Sequence, residues 1–260
     1  MLTWLRSALF SIVYIPSTIA YGAFTQLVRW LPPSILPPAK LHRFVITWCR
    51  LNVEWLRMTV GARYKVIGLE HLHNIQGPVV ILAKHQSTWE TLFLQLMFFP
   101  AITVLKRELL KVPFFGWGLN GLRPIAIDRD NPRDALKQVK EGGLKQLAAG
   151  NNMLLFPEGT RTKLGERGRY ARSGADIAIT AGVPVIPVAL NSGKCWPPKQ
   201  LRKYPGLISV VIGAPIPTAG RNSKELIEQV ENWIETELSR IAEEETHSQS
   251  EEFSKNCRQN

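Results

Sequence analysis

No cysteine pair, no metal-ligand spacing and no G-x-S-x-G occur in this chain of 260 residues. The three cysteines, Cys49, Cys195 and Cys257, are odd in number and far apart. That excludes a disulfide framework and a cysteine zinc site, and it suits a reducing compartment. The missing nucleophile elbow excludes the usual serine hydrolase. Cys49 and Cys195 also lack an activating neighbour, and Lys194-Cys195-Trp196-Pro197 reads as a structural loop. No internal repeat is visible. Acidic residues are scarce outside the C-terminus: residues 1–220 hold 27 lysines and arginines against 11 acids, a balance of +16 within a total of +11. Such a body attracts phospholipid headgroups, phosphorylated substrates or nucleic acid, and charge alone does not choose among them.

The longest absence is of charge. Residues 7–28, SALFSIVYIPSTIAYGAFTQLV, carry none, and Arg6 and Arg29 bracket them. As a helix rising about 1.5 Å per residue, the stretch is long enough for a hydrocarbon core of about 30 Å. Pro16 near its middle predicts a kink, so a spanning helix, a re-entrant hairpin bent at Pro16 and a cleaved signal peptide are the three readings. Lys40, His42, Arg43 and Arg50 follow, which places the rest of the chain on the cytoplasmic side by the positive-inside bias. Pro32, Pro33, Pro37 and Pro38 break the chain, and residues 40–60 then repeat apolar positions at Phe44, Trp48, Leu51 and Trp55. That spacing predicts an amphipathic helix, packed on the main domain or lying in the headgroup layer.

From residue 64 the pattern changes to α/β. Apolar runs predict strands at 79–84, 101–105, 124–128, 152–156, 183–190 and 207–212. Helices are predicted at 88–99, after the Asn131-Pro132 start signal, at 173–181 before Gly182, and at 222–245. The fold class is therefore α/β: a single domain with a mixed, mostly parallel sheet covered by helices, behind an N-terminal membrane-associated helical region. The expected organisation is a membrane segment at 1–31, a proline-rich linker and amphipathic helix at 32–63, the catalytic domain at 64–220, a C-terminal helix at 221–245 and a disordered polar tail at 246–260.

Chemistry gathers at strand ends. His85 directly follows the first predicted strand, where ligands of open α/β sheets sit. A histidine there suits a general base. Glu90 is the candidate orienting carboxylate. On one ideal helix the two would point about 140° apart. They meet only if His85 lies in the turn and Glu90 in the first helical turn. Ser87-Thr88-Trp89-Glu90 has the capping-box form, with Ser87 as N-cap, which supports that boundary and also offers Glu90 a purely capping role. Phe156-Pro157-Glu158-Gly159-Thr160-Arg161 ends another strand: Gly159 permits a tight turn, Arg161 presents a fork to phosphate, and Glu158 can orient that arginine or a hydroxyl. Lys106-Arg107 and Asp128-Arg129 follow two further strands.

Taken in order, K-H-Q-S-x-x-E, L-K-R-E-L with P-F-F-G, I-D-R, F-P-E-G-T-R and V-P-V-I-P-V resemble the lysophospholipid acyltransferase family over roughly residues 64–215. Glu90 stands where that family's H-x4-D motif has aspartate. The resemblance implies acyl transfer from acyl-CoA or acyl-carrier protein to the sn-2 hydroxyl of 1-acyl-sn-glycerol-3-phosphate, giving phosphatidic acid for phospholipid biosynthesis. His85 would be the base and Glu90 its support. Lys106, Arg107, Arg129 and Arg161 would hold the phosphate, with Glu158 and Gly159 shaping the pocket. No metal or redox cofactor is implied. The implied partners are lysophosphatidic acid, a thioester donor and an anionic membrane surface, not nucleic acid. The implied place is the cytoplasmic face of a bacterial inner membrane. Backbone amides after Ser87 are candidate oxyanion donors. Glycerol-3-phosphate or a lyso-ornithine lipid as acceptor, and a non-enzymatic basic membrane binder, are the alternative readings. If the +16 body contributes to docking, binding to anionic vesicles falls as salt rises; salt-insensitive binding would mean that hydrophobic insertion holds the protein to the membrane.

Overall fold

The computed structural model describes residues 1–28, 31, 35, 37–128 and 130–258. Arg29, Pro32, Pro33 and Arg129 thus lie outside the described residues. Seven helices and seven strands alternate along the described chain: α1 (Leu2–Val28), α2 (Pro38–Val60), β1 (Ala62–Ile67), β2 (Val80–Ala83), α3 (Trp89–Met97), β3 (Ala101–Lys106), α4 (Phe115–Asn120), β4 (Ile125–Ile127), α5 (Pro132–Ala148), β5 (Asn152–Leu155), α6 (Ser173–Ala181), β6 (Val185–Leu190), β7 (Gly206–Ile212) and α7 (Ser223–Arg258). The strands form one sheet in the order β1-β7-β6-β2-β5-β3-β4. All neighbours run parallel except β6 and β7. The mixed, mostly parallel sheet read from the sequence is therefore present. β1 was not singled out in the sequence, because Arg63 and Lys65 interrupt its apolar pattern on a strand that lies at the sheet edge.

Both faces of the sheet are covered, so the central strands are apolar throughout. Side-chain alternation divides them. Ile81, Ala83, Leu154, Ile186 and Val188 pack with α2 and α3. Val80, Leu82, Met153, Leu155 and Val185 pack with α5, α6 and α7. Asn131 caps α5 by accepting from the Asp134 amide, with Pro132 at the first helical position, and Gly182 closes α6 in a left-handed conformation. α7 runs past residue 245, into the stretch whose composition predicts a disordered tail. Glu245, the last residue of the expected helix, accepts from Asn191 Nδ2 at 2.8 Å and pairs with Lys194 Nζ at 2.9 Å, which ties the helix at that point to the segment after β6.

α1 is one continuous helix through Pro16, which overturns the hairpin reading. Packing on both sides of the proline offsets the lost backbone hydrogen bond. Before it, Phe10 is fully buried and meets Trp196; after it, Tyr21 stacks on Trp48 and Phe44. Arg202 reaches Thr3, and the Lys203 amide donates to Ser7 Oγ at 2.9 Å. One face of α1 is thus joined to the main domain from residue 3 to beyond residue 21. The other face exposes Leu2, Leu5, Leu9, Ile12, Ile15, Ile19 and Leu27. α2 adds exposed Phe44, Leu51 and Met58. Gly22 lets α1 reach α4: a Cβ there would sit 1.8 Å from the Phe114 carbonyl oxygen. Gly22→Ala is expected to cost about 1–3 kcal/mol by overpacking, against less than about 0.5 kcal/mol for exposed Ile19→Ala. Thermal unfolding of both variants in detergent checks this.

Candidate active site

β2 ends at Ala83 on the C-terminal edge of the sheet, and the next residues leave in opposite directions. Lys84 continues the alternation toward the α7 side and is completely buried. Its Nζ lies 2.8 Å from Glu158 Oε1, 2.8 Å from Glu235 Oε1 and 3.0 Å from the Glu166 carbonyl oxygen. Tyr170 donates a further hydrogen bond to Glu235 at 3.0 Å. A buried charge is tolerable only when paired in this way, and removing one partner of such a pair typically costs about 3–5 kcal/mol. The other oxygen of Glu158 accepts from the His85 backbone N–H at 2.8 Å. Glu158 therefore faces the interior, not Arg161, and its carboxylate is committed to holding Lys84 and the His85 backbone.

His85 lies in the turn, outside α3, as its pairing with Glu90 requires. Its Nδ1 is 2.9 Å from Glu90 Oε1. The same oxygen accepts from the Gln86 amide at 2.8 Å and the Ser87 amide at 2.6 Å. Glu90 Oε2 accepts from Ser87 Oγ at 2.7 Å and Ser192 Oγ at 2.5 Å. Ser87 Oγ in turn accepts from the Trp89 amide at 2.8 Å. α3 begins at Trp89 with Thr88 in the N-cap position, one residue after the expected Ser87; the Ser87 amide still donates to Glu90, so support of the helix start and of the histidine coexist in one carboxylate. An oxygen surrounded by donors is an ionised acceptor, which places the imidazole proton on Nδ1 and leaves Nε2 free to take a proton. Burial by itself would raise the Glu90 pKa. Hydrogen bonds and the field of His85, with the Ser192 and Ser87 hydroxyls, outweigh burial and hold it below the ordinary carboxylate value. The ring of His85 also stacks on Phe156, centroids 4.0 Å apart, and its carbonyl accepts from the Thr162 amide at 2.9 Å.

A cavity of about 470 Å³ opens beside His85. α1 and α2 supply Tyr14, Tyr21 and Trp48 to its wall, and Leu105, Leu119 and Leu122 extend the apolar lining. Lys106, Gly159 and Arg161 line the same cavity, so the structure brings these three candidates together with His85. Gly159 has φ +67° and makes the left-handed turn its sequence context predicts. Arg107 is not among the lining residues and donates to Gln138 at 3.2 Å instead. Arg129 lies outside the described residues. Lys199 adds a cation that the sequence reading passed over. Ser192 and Glu235 were missed as well, because no local pattern links them to His85. The oxyanion expectation narrows too: the amides of Gln86, Ser87 and Trp89 are already occupied. Among the described residues, Glu108, Asp128 and Asp130 group their carboxylates within 4.8 Å, but none lines this cavity and an acidic cluster alone assigns no metal.

The chain is similar to known acyltransferases over most of its length. The family model described as Acyltransferase matches residues 63–191. The chain is 43% identical over 242 residues to a protein of Pseudomonas aeruginosa named 1-acyl-sn-glycerol-3-phosphate acyltransferase, covering 92% of each. It is 29% identical over 173 residues to the human 1-acyl-sn-glycerol-3-phosphate acyltransferase alpha, covering 66% of this chain and 61% of that one. The fold resembles the crystal structure of the 1-acyl-sn-glycerophosphate (LPA) acyltransferase PlsC from Thermotoga maritima, with a TM-score of 0.75, 22% identity, and 92% of this chain and 96% of that chain covered.

Glu90→Gln is expected to lower kcat on the order of 10³–10⁴-fold, because an amide does not stabilise an imidazolium as a carboxylate does. The Glu90 pKa is depressed on folding, so its stabilising contribution is present above the unfolded carboxylate value of about 4.3 and is lost as pH falls through the folded value. Ser192→Ala removes one donor and raises the folded value. Its stability loss relative to wild type is therefore expected near pH 7 and should shrink as the pH is lowered below about 4. Chemical unfolding across that range checks it.

Proposed function

The chain belongs to the acyltransferase family, and from that membership we propose that it carries an acyl group from a thioester to the sn-2 hydroxyl of 1-acyl-sn-glycerol-3-phosphate, yielding phosphatidic acid. The observation that carries the mechanism is the His85–Glu90 pair, with Nε2 free, beside a cavity that is apolar inside and bears Lys106, Arg161 and Lys199. His85 Nε2 removes the proton of the acceptor hydroxyl as its oxygen attacks the thioester carbonyl carbon. The resulting imidazolium is held by Glu90. When the tetrahedral oxyanion collapses, the carbon–sulfur bond breaks and His85 returns the proton to the leaving thiolate. A thioester is already activated, so the transfer calls for neither a metal nor a redox cofactor.

The acceptor follows from charge. A phosphate monoester suits the cations Lys106, Arg161 and Lys199, with Arg129 a further candidate from the sequence, and bidentate pairing favours the arginines. Gly159 allows the turn that presents Arg161. Glu158 acts on the site through the His85 backbone. The exposed apolar faces of α1 and α2 lie in the lipid, which delivers the acceptor to a cavity those two helices help to wall. Each methylene moved out of water there contributes about 0.8 kcal/mol. Basic residues after α1 favour a site on the cytoplasmic face of the membrane by the positive-inside bias.

Purified protein in detergent or vesicles is expected to acylate lysophosphatidate. His85→Ala should lower kcat about 10²–10⁴-fold with little change in acceptor KM. Full transfer by that variant would exclude the base assignment. An acceptor panel with glycerol-3-phosphate, lyso-ornithine lipid and lysophosphatidate tests the rest, and activity confined to the phosphate-free acceptor would sink the lysophosphatidate assignment.

A further inference from the structure

A second cavity, of about 450 Å³, also reaches His85. It lies on the other face of the sheet, where Leu82, Val139 and Leu155 pack with α5 and α6. The two cavities share His85, Val104, Phe156, Gly159 and Thr160, so they adjoin at the imidazole. Their chemistry differs. The first has three cations in its lining; the second has no lysine or arginine among its described lining residues. Glu158 belongs to the lining of the second, but its side chain is fully buried, ion-paired with Lys84 and hydrogen-bonded to the His85 backbone. What the second cavity offers a ligand is an apolar floor, the hydroxyls of Thr160 and Ser173, and backbone groups around Gly159 and Gly174.

We propose that this second cavity holds the pantetheine arm of the acyl thioester donor. The inference rests on the acyl-transfer reading. Two substrates must meet at one base, and the charge of their non-acyl parts differs. The phosphate of the acceptor is an anion and belongs with the cations of the first cavity. The arm that carries the thioester is neutral, with two amides, one hydroxyl and a gem-dimethyl group. It fits a groove that is part apolar and part hydrogen-bonding, with no lysine or arginine among its described lining residues. Coenzyme A and acyl-carrier protein end in the same arm, so the cavity serves either source. None of the described lining residues of the second cavity belongs to α1 or α2, the helices whose exposed faces are apolar. With the arm in place, the thioester carbonyl lies where the cavities join, beside Nε2. After the carbon–sulfur bond breaks and His85 protonates the sulfur, the free thiol leaves from the second cavity while the new ester stays with the first.

Ser173→Phe and Ala171→Trp fill the second cavity without touching the Glu90 cradle. Steady-state kinetics with palmitoyl-CoA and with palmitoyl-carrier protein read the effect. Each variant is expected to raise donor KM about tenfold with both donors and to leave lysophosphatidate KM within about twofold. Unchanged donor KM, a rise confined to the acceptor, or a rise with one donor source alone would overturn the assignment. Photolabelling of the wild-type enzyme with a diazirine-bearing pantetheine thioester needs no variant to fold. Label at residues 171–174 or Val139 supports the proposal, and label confined to Tyr14, Trp48 or Leu119 refutes it. Failure of the wild-type enzyme to transfer from either donor would instead sink the acyl-transfer reading itself.

Discussion

One carboxylate organises this site. Glu90 is fully buried and accepts from five donors: an imidazole nitrogen, two backbone amides and two hydroxyls. Four of the donors come from His85, Gln86 and Ser87 in the turn between β2 and α3, and Ser192 brings in the segment after β6. A buried carboxylate with that many donors stays ionised, and an ionised carboxylate in turn fixes the imidazole tautomer. Removal of any one donor leaves the others in place but lowers the cost of protonating the carboxylate.

A second buried charge system holds the opposite side of the same turn. Lys84 joins Glu158 on the loop after β5 to Glu235 on α7, and Glu158 passes that constraint to the His85 backbone. Consecutive residues at a strand end point to opposite faces, so a single strand feeds both systems. His85 is consequently held through its ring by Glu90, through its amide by Glu158, through its carbonyl by Thr162 and over its face by Phe156. Such over-determination suits a base whose nitrogen must meet a hydroxyl within hydrogen-bond reach.

The two N-terminal helices belong to the wall of the site. α1 and α2 wall the apolar cavity while their outer faces remain exposed and apolar. α1 is joined to the main domain on one face by Thr3, Ser7, Phe10 and Tyr21. The apolar run that suggested a span by length is therefore covered by protein on one face and exposed on the other. Hydropathy counts apolar residues without knowing which neighbour will cover them.

Residue order alone determined the fold class, the strand-end position of His85, the helix that follows it and the cations at the neighbouring strand ends. These depend on side-chain periodicity, capping and turn chemistry, which act over a few residues. Ser192 lies 102 residues from Glu90, and Glu235 lies 151 from Lys84, so no local rule reached them. The same limit misdirected Glu158, which motif order assigned to the pocket and the buried Lys84 draws inward. Lys106 and Arg161 share the cavity while Arg107 turns away, a distinction set by side-chain direction around a finished sheet. Tertiary structure alone decided which groups became partners, because buried charges select partners by proximity in the packed core, and that proximity exists only once the strands have paired.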